Sequence, residues 1–308
     1  MKAVAITTFD TPPALREDLP APTPAPNEVL VRVHASSVNP ADNSIASGML
    51  TQMGVEYEFP VTLGRDYAGV VEQVGADVTR YAAGDEVFGF LVHANPTVHD
   101  GSWAELIAVP QDTSIAPAPA GVDVASAGAA PLAGIAAIMA IDALTMSDGG
   151  TVLIVGATGG VGSFAVQLAA RAGATVVAPA LPEDETYLRE LGASELLPRD
   201  GDLAAAARAR HPDGFDAILD LVSFAGESAA LLKDGGRLAS PLGAAGDGPG
   251  RINVMAAPTP ENLQRLARLL ADGLRVPIQA TYELAQAPDA LSALATTHTR
   301  GKLAIRIR

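Results

Sequence analysis

The chain has 308 residues, a length that suits about two domains, with a hydrophobic fraction of 48%, a charged fraction of 18% and a formal net charge of −15. So acidic a surface repels phosphate backbones and anionic membranes at long range, which argues against nucleic acid and membrane as partners. Cysteine is absent, which excludes disulfides, thiolate metal sites and a thiol nucleophile.

In chain order, residues 1–120 read as short strands and turns. Met1–Phe9, Glu28–His34, Gly69–Val74, Asp85–Phe90 and Ala104–Pro110 carry β-branched, partly alternating patterns bounded by Pro, Gly or Asp. A short helix is expected over Ala41–Gly48. Pro12 to Pro26 holds six prolines and reads as an extended surface connection. Strands this closely spaced predict a barrel-like or sandwich-like β domain. The start, MKAVAITTFD, has no apolar run of secretory length, and no window reaches ~20 uninterrupted apolar residues. The expectation is a cytoplasmic protein.

The pattern changes near Gly121. Ser126–Leu144 is Ala-rich and reads as one helix; strands and helices then alternate. Strands are expected at Thr151–Gly156, Thr175–Pro179, Ala217–Val222 and Arg237–Pro241. Helices are expected at Val161–Ala172, Glu183–Leu191, Leu203–Arg210 and Gly226–Leu232. Such alternation predicts a parallel, doubly wound sheet with helices on both faces. Pro260–Asp272 reads as a helix, and Ala280–Leu284 and Leu303–Ile307 as strands flanking a helix near Pro288–Thr296.

The most informative stretch is VLIVGATGGVGSFAVQLAARAGATVV, Val152–Val177. Four apolar residues form a strand buried on both faces. Gly156-Ala-Thr-Gly-Gly-Val-Gly162 is a turn without side chains bulky enough to keep a pyrophosphate from the backbone. The next helix aims its N-terminal amides and roughly half a positive charge at the same spot. Backbone at Thr158, Gly159, Gly160 and Val161 is therefore the candidate diphosphate cradle. The second strand ends in Ala178-Pro-Ala180, where an NAD site places Asp or Glu on the ribose 2′-hydroxyl. A missing carboxylate removes the repulsion against a 2′-phosphate, so NADPH is the expected cofactor. Arg199 is the candidate counter-charge, against its reading as an exposed loop arginine. Val222, and Leu242 with Gly243, follow sheet strands at their carboxyl ends, where ligands gather in open α/β sheets.

Taken together, the chain resembles the medium-chain dehydrogenase/reductase superfamily, in its zinc-free quinone oxidoreductase branch. The resemblance covers nearly the whole chain and rests on Val38-Asn-Pro-Ala-Asp42, Leu63-Gly-Arg-Asp-Tyr-Ala-Gly-Val-Val71, Gly84-Asp-Glu-Val-Phe88, Ala129-Ala-Pro-Leu-Ala-Gly134, the glycine turn and Gly301-Lys-Leu-Ala304. It implies a mainly-β GroES-like catalytic domain over 1–120 and 273–308, a Rossmann cofactor domain over 121–272, and a homodimer. In the family's zinc enzymes a Cys stands at Asn39 and a His at Arg65; a guanidinium cannot ligate Zn²⁺. His34, His93, His99, His211 and His298 show no paired metal spacing. No metal is expected. Without an electrophilic metal, acceptors already activated by conjugation, quinones and α,β-unsaturated carbonyls, are the expected small-molecule substrates.

By the same resemblance, Asn39 lies beside the nicotinamide and bonds its ribose or the substrate oxygen; the alternative is an Asn capping a turn before Pro. Asp42 is either a helix N-cap or an acceptor supporting the site. Tyr57, in the Gly48–Phe59 loop that the family uses to line its substrate cleft, is a candidate proton or hydrogen-bond donor, or a solvent-facing tyrosine. Lys302 matches a C-terminal lysine that reaches the cofactor, or lies at the surface. Ala136 stands where the family often has Thr, one hydroxyl fewer for the nicotinamide. Two further readings stay open: an enoyl-thioester reductase of the same superfamily, and a non-catalytic NADPH-binding sensor.

Overall fold

The computed structural model describes residues 1–92, 97, 98 and 100–308. The chain divides into two compact units, Met1–Leu132 with Pro258–Arg308, and Ala133–Ala257. The boundaries expected at 120/121 and 272/273 thus fall at 132/133 and 257/258. Pro260–Ala271 belongs to the first unit, where the Ser114 amide donates to Pro258 O at 2.9 Å.

The first unit is mainly β. Its largest sheet runs Ala116–Pro117, Glu86–Phe90, Asp66–Val74, Glu28–Ser37, Lys302–Arg306 and Ile278–Glu283, and Leu106–Pro110 also pairs with Glu28–Ser37. In Glu28–Ser37, Val31 and Val33 are fully buried while Arg32 and His34 are half-buried, the two-residue period of a strand with one face inward, whereas Val29 and Leu30 at one end and Ala35, Ser36 and Ser37 at the other are buried consecutively. Those valines pack with Tyr67, Val71, Val87 and Ile107. A second core gathers Val4, Ile6, Ile45, Leu63, Trp103, Leu291 and Ile305 beneath the helices Pro40–Ala46 and Ala287–Thr296. Each such side chain contributes roughly 1.5–3 kcal/mol on burial. Within Pro12–Pro26 the chain is not wholly extended connection: Ala14–Arg16 pairs antiparallel with Ala3–Ile6.

The second unit holds six parallel strands in the order Glu195–Pro198, Thr175–Ala180, Thr151–Val155, Phe215–Asp220, Leu232–Ser240 and Arg251–Asn253. Numbered by sequence this is 3-2-1-4-5-6, the doubly wound order, and the strand order reverses between Thr151–Val155 and Phe215–Asp220. Two expectations need correction. The helix read over Ser126–Leu144 is two, Val124–Ala129 and Pro131–Leu144, because Pro131 has no N–H to continue the first and suits the first turn of the second. The helix read over Gly226–Leu232 shrinks to Ala225–Ser228 and a 3₁₀ turn at Ala229–Leu231, and Leu232 already belongs to the next strand. The strand Arg251–Asn253 has no counterpart among the expected elements.

Among the described residues, no helix is long and apolar enough to cross a membrane.

Candidate functional site

In the first unit, side chains distant in sequence converge on Asn39. It precedes the helix Pro40–Ala46 with extended φ and ψ of −132° and 154°. Its backbone N–H donates to Asp42 Oδ2 at 2.7 Å, half of a capping box. Its Nδ2 donates to Asp66 Oδ2 at 2.8 Å, and its Oδ1 accepts from Lys302 Nζ at 2.6 Å. Asp66 opens the strand Asp66–Val74. Its Oδ2 also accepts from Ser37 Oγ at 2.6 Å and faces Lys302 Nζ at 3.4 Å, and its Oδ1 accepts from the Leu132 amide at 2.7 Å. Lys302 Nζ makes a third bond, to Val38 O at 3.2 Å. All three side chains are buried. The cluster is held by strand pairing: Ala304 registers with Ser37, and the Val38 amide donates to Leu303 O at 3.0 Å. Gly301 sits at φ +76°, and a Cβ there would lie 2.2 Å from Pro277 O, so only glycine lets the chain enter the Lys302–Arg306 strand this way.

Arg65 and Asp42 complete the cluster. The Arg65 guanidinium is 1% exposed and donates through Nη2 to Asp100 O at 2.9 Å and Thr62 O at 3.3 Å. Its Nε has no hydrogen-bond partner among the described residues. Burial lowers the Arg65 pKa, against the raising effect of Asp42 and Asp100. Burial pushes the Asp42 carboxyl up to about 7; Asp66 adds to the rise, while Arg65, the Asn39 N–H and Lys302 oppose it. Burial likewise lowers the Lys302 pKa, against the pull of Asp66 and Asp42. Gly64, at φ +91°, donates its N–H to Asp42 Oδ1 at 3.2 Å, and a Cβ there would strike Trp103 Cδ1 at 2.3 Å.

Tyr57 lies in the same unit, in the two-residue strand Glu56–Tyr57. Its ring meets Phe9 edge-on at 4.9 Å and stacks near Phe59 at 6.3 Å. The Oη is shielded from solvent and makes no hydrogen bond of proper geometry among the described residues. Burial raises its pKa; the neighbouring Leu50 backbone and the Arg65 charge oppose the rise. Tyr57 is therefore not a solvent-facing loop residue.

In the second unit the glycine turn takes the expected form. Gly156 lies at φ +88°, where a Cβ would meet Val222 Cγ1 at 2.9 Å. Gly162 has no room for a side chain: a Cβ would lie 2.2 Å from Gly156 O. Gly159 precedes the helix Gly160–Arg171, whose first intrahelical bond here is the Ser163 amide to Gly159 O at 2.8 Å. The amides of Gly160, Val161 and Gly162 come before it and point out of the helix end. At Gly159 a Cβ would meet nothing closer than 3.6 Å, so its smallness serves no packing need of the protein itself. A cradle whose open side lacks side chains, facing a helix N-terminus at the reversal of strand order, fits a diphosphate.

Arg199 lies just past Glu195–Pro198, its amide donating to Ala180 O at 3.0 Å. With Ala180, Pro182, Glu185, Pro198 and Arg210 it lines a groove of about 350 Å³ at the carboxyl ends of two strands. No carboxylate ends the Thr175–Ala180 strand; of the acids that follow, Asp184 is buried and Glu183 and Glu185 are exposed. Val222 and Leu242 are exposed beyond their strands. Their amides are turned back onto Asp220 Oδ1 at 3.0 Å and Ser240 Oγ at 3.2 Å, and Gly243 follows at φ +72°. Asp220, fully buried, has an Oδ2 with no partner among the described residues.

Asp66 is absent from the residues singled out from sequence. An acid directly after Gly64-Arg65 is its one local signal; its partners lie 27, 29, 66 and 236 positions away. Among the described residues, no group of three or more His, Cys, Asp or Glu is placed to hold a metal; His93 and His99 lie outside the described residues.

Comparison with known proteins agrees with both halves. Residues 25–120 match the alcohol dehydrogenase GroES-like domain, and residues 191–305 match the zinc-binding dehydrogenase family. The mitochondrial NAD(P)H oxidoreductase RTN4IP1 of Bos taurus is 34% identical over 67% of this chain, a match spanning 54% of that relative's length. The chloroplastic NADPH-dependent alkenal/one oxidoreductase of Arabidopsis thaliana is 28% identical over 94% of this chain and 75% of its own. The structure of the quinone oxidoreductase from Coxiella burnetii superposes with a TM-score of 0.89 at 29% identity, covering 100% of this chain and 99% of that one. Two family models in sequence order, the six-strand parallel order and these relatives make the chain a member of the medium-chain dehydrogenase/reductase superfamily, in its quinone oxidoreductase-like branch, with a GroES-like domain and a Rossmann domain.

Proposed function

We propose that this NAD(P)H oxidoreductase is an NADPH-dependent, zinc-independent enzyme that reduces quinones or α,β-unsaturated carbonyls. The observation that carries the reading is the cluster around Asn39. Where, by the resemblance, the superfamily's zinc enzymes set a Cys and a His, this chain sets the Asn39 amide and the Arg65 guanidinium, with the Lys302 ammonium bonded to that amide. Both oxygens of Asp66 already accept from Ser37, Asn39, Leu132 and Lys302, and two buried cations, Arg65 and Lys302, repel a dication. The family's name speaks of zinc, but these donors do not suit it.

Bound NADPH supplies hydride. The chain's own residues bind, orient and protonate. The backbone at Thr158, Gly159, Gly160 and Val161 holds the diphosphate. Arg199, beside a strand end without a carboxylate, offers charge-assisted bonds to a 2′-phosphate. Leu242, Gly243 and Val222 border the cofactor. Asn39 Nδ2 and Tyr57 Oη–H donate to the acceptor oxygen or the nicotinamide ribose; on the acceptor they stabilise developing negative charge, and Tyr57 delivers a proton. A conjugated acceptor needs no stronger electrophile than these donors. The relative named for alkenals and enones supports the acceptor class and the nucleotide. The proposal extends to a homodimer in the cytoplasm, the dimer resting on resemblance alone.

The test is NADPH consumption with a panel of small quinones and enones, with saturated ketones and a chelator as controls. Reduction of the conjugated acceptors, unaffected by the chelator, supports the reading. Zinc-dependent turnover of simple alcohols overturns it. NADPH binding with no acceptor reduced points instead to a non-catalytic sensor.

A further inference from the structure

We infer that Lys302 and Asp66 are positioning residues that lock the Asn39 amide in one orientation, so that it presents an N–H, and not its carbonyl, to a bound ligand. The inference rests on the proposed role of Asn39 and goes beyond it by assigning the two groups that set its polarity.

An asparagine amide is nearly symmetric in shape, and its neighbours decide which end is oxygen. Here both neighbours decide the same way. Lys302 Nζ, a donor in all three of its hydrogens, stands 2.6 Å from one end; Asp66 Oδ2, an acceptor, stands 2.8 Å from the other. A flipped amide would set two acceptors 2.8 Å apart and two donors 2.6 Å apart. Both arrangements are repulsive, and burial prevents water from relieving them. In the observed orientation the oxygen is engaged by a cation. The nitrogen has one hydrogen on Asp66 and makes no second bond among the described residues. That second N–H is what the side chain offers an oxygen ligand.

The same geometry reassigns Lys302. Its three donors go to Val38 O, Asn39 Oδ1 and Asp66 Oδ2, at 3.2, 2.6 and 3.4 Å. None is left for a cofactor, and the residue is 3% exposed. Lys302 therefore acts through Asn39. Asp66 is anchored in turn by Ser37 Oγ and the Leu132 amide, so the amide's frame does not shift when a ligand arrives.

Two measurements test this. In protein labelled with ¹⁵N-asparagine, the Asn39 side-chain signals are identified by their loss in Asn39→Ala. Two separate proton resonances come from the amide C–N bond itself, so the readout is their position: the wild-type pair should stand apart from the other asparagine pairs, with the proton donated to Asp66 shifted downfield. In Lys302→Met, where the amide is free to turn over, the pair should move toward the other asparagine signals or broaden between two orientations while those signals hold. An unchanged Asn39 pair in Lys302→Met overturns the inference. In turnover, Lys302→Met should lower kcat by about 10- to 100-fold, should weaken NADPH no more than Asn39→Ala does, and should cost nothing further in an Asn39→Ala background. A full-size loss in that background, in kcat or in NADPH affinity, overturns it. Should Lys302→Met fail to fold with Asp66 left unpaired, the double variant Lys302→Met/Asp66→Asn removes both charges together, with the same outcomes expected. A wild type that reduces no acceptor defeats the proposed function, while the resonance measurement still decides the positioning.

Discussion

Asp42 Oδ2 accepts the backbone N–H of Asn39 at 2.7 Å while its other oxygen takes the Gly64 N–H, and the whole side chain is buried. Burial raises its pKa from 3.8 to about 7. Between those values the folded protein holds a proton that the unfolded chain has released. The stability that Asp42 contributes is therefore fully present below pH ~4 and is lost as pH rises toward 7, by a ceiling of about 4 kcal/mol for a shift of this size. Asp42→Asn cannot titrate. Urea midpoints from pH 4.5 to 8 should show the wild type losing stability relative to the variant as pH rises. A difference that stays flat across this window contradicts the raised pKa.

Tyr57 Oη is shielded from solvent and makes no hydrogen bond of proper geometry among the described residues; the Leu50 backbone beside it repays only part of its desolvation in the absence of ligand. Tyr57→Phe removes that cost, of order 1–3 kcal/mol, and keeps the ring against Phe9 and Phe59. The melting temperature should stay the same or rise, while kcat for enone or quinone reduction falls by about 100-fold. A lower melting temperature would mean the hydroxyl serves the fold.

The second unit is readable from sequence because its signals are local. Val152–Val155, the glycine turn and the helix after it lie within one run, and strand, turn and helix each carry their own pattern. The edge strand Arg251–Asn253 escapes such reading: three residues, one apolar, follow a glycine-rich stretch with turns at Gly246, Gly248 and Gly250. The break at Pro131 is legible in principle from the missing N–H, but alanine on both sides hides it. The cluster around Asn39 is the reverse case. Asn39 and Lys302 are identifiable through motifs, yet their pairing spans 263 positions. It depends on Lys302–Arg306 lying beside Glu28–Ser37, a long-range register that no local pattern encodes.

The two glycines flanking the cradle should respond in opposite ways. Gly162→Ala drives a Cβ to 2.2 Å from Gly156 O, a backbone atom that cannot yield, so the helix must move off its strand. Its melting temperature should fall steeply. At Gly159, with φ −72° and its closest contact 3.6 Å from a built Cβ, valine meets no backbone obstacle at Cβ. Gly159→Val should keep the wild-type circular dichroism and melt, and lose NADPH binding by calorimetry. Binding that survives would show that the diphosphate lies elsewhere.

Arg199 is tied by its amide to Ala180 O, so its side chain starts beside the strand end that lacks a carboxylate. A charge-assisted bond from a guanidinium to a phosphate contributes about 1.5–3 kcal/mol, or roughly 10- to 150-fold in affinity. Arg199→Ala should weaken NADPH by about that factor and leave NADH nearly unchanged, because NADH carries no 2′-phosphate. Added salt should narrow the gap between wild type and variant, since the groove is open to solvent and screening acts there. Glu185 in the same groove repels the phosphate, so Glu185→Gln should strengthen NADPH binding and not NADH binding. Equal losses for both nucleotides in Arg199→Ala would remove this arginine from 2′-phosphate recognition.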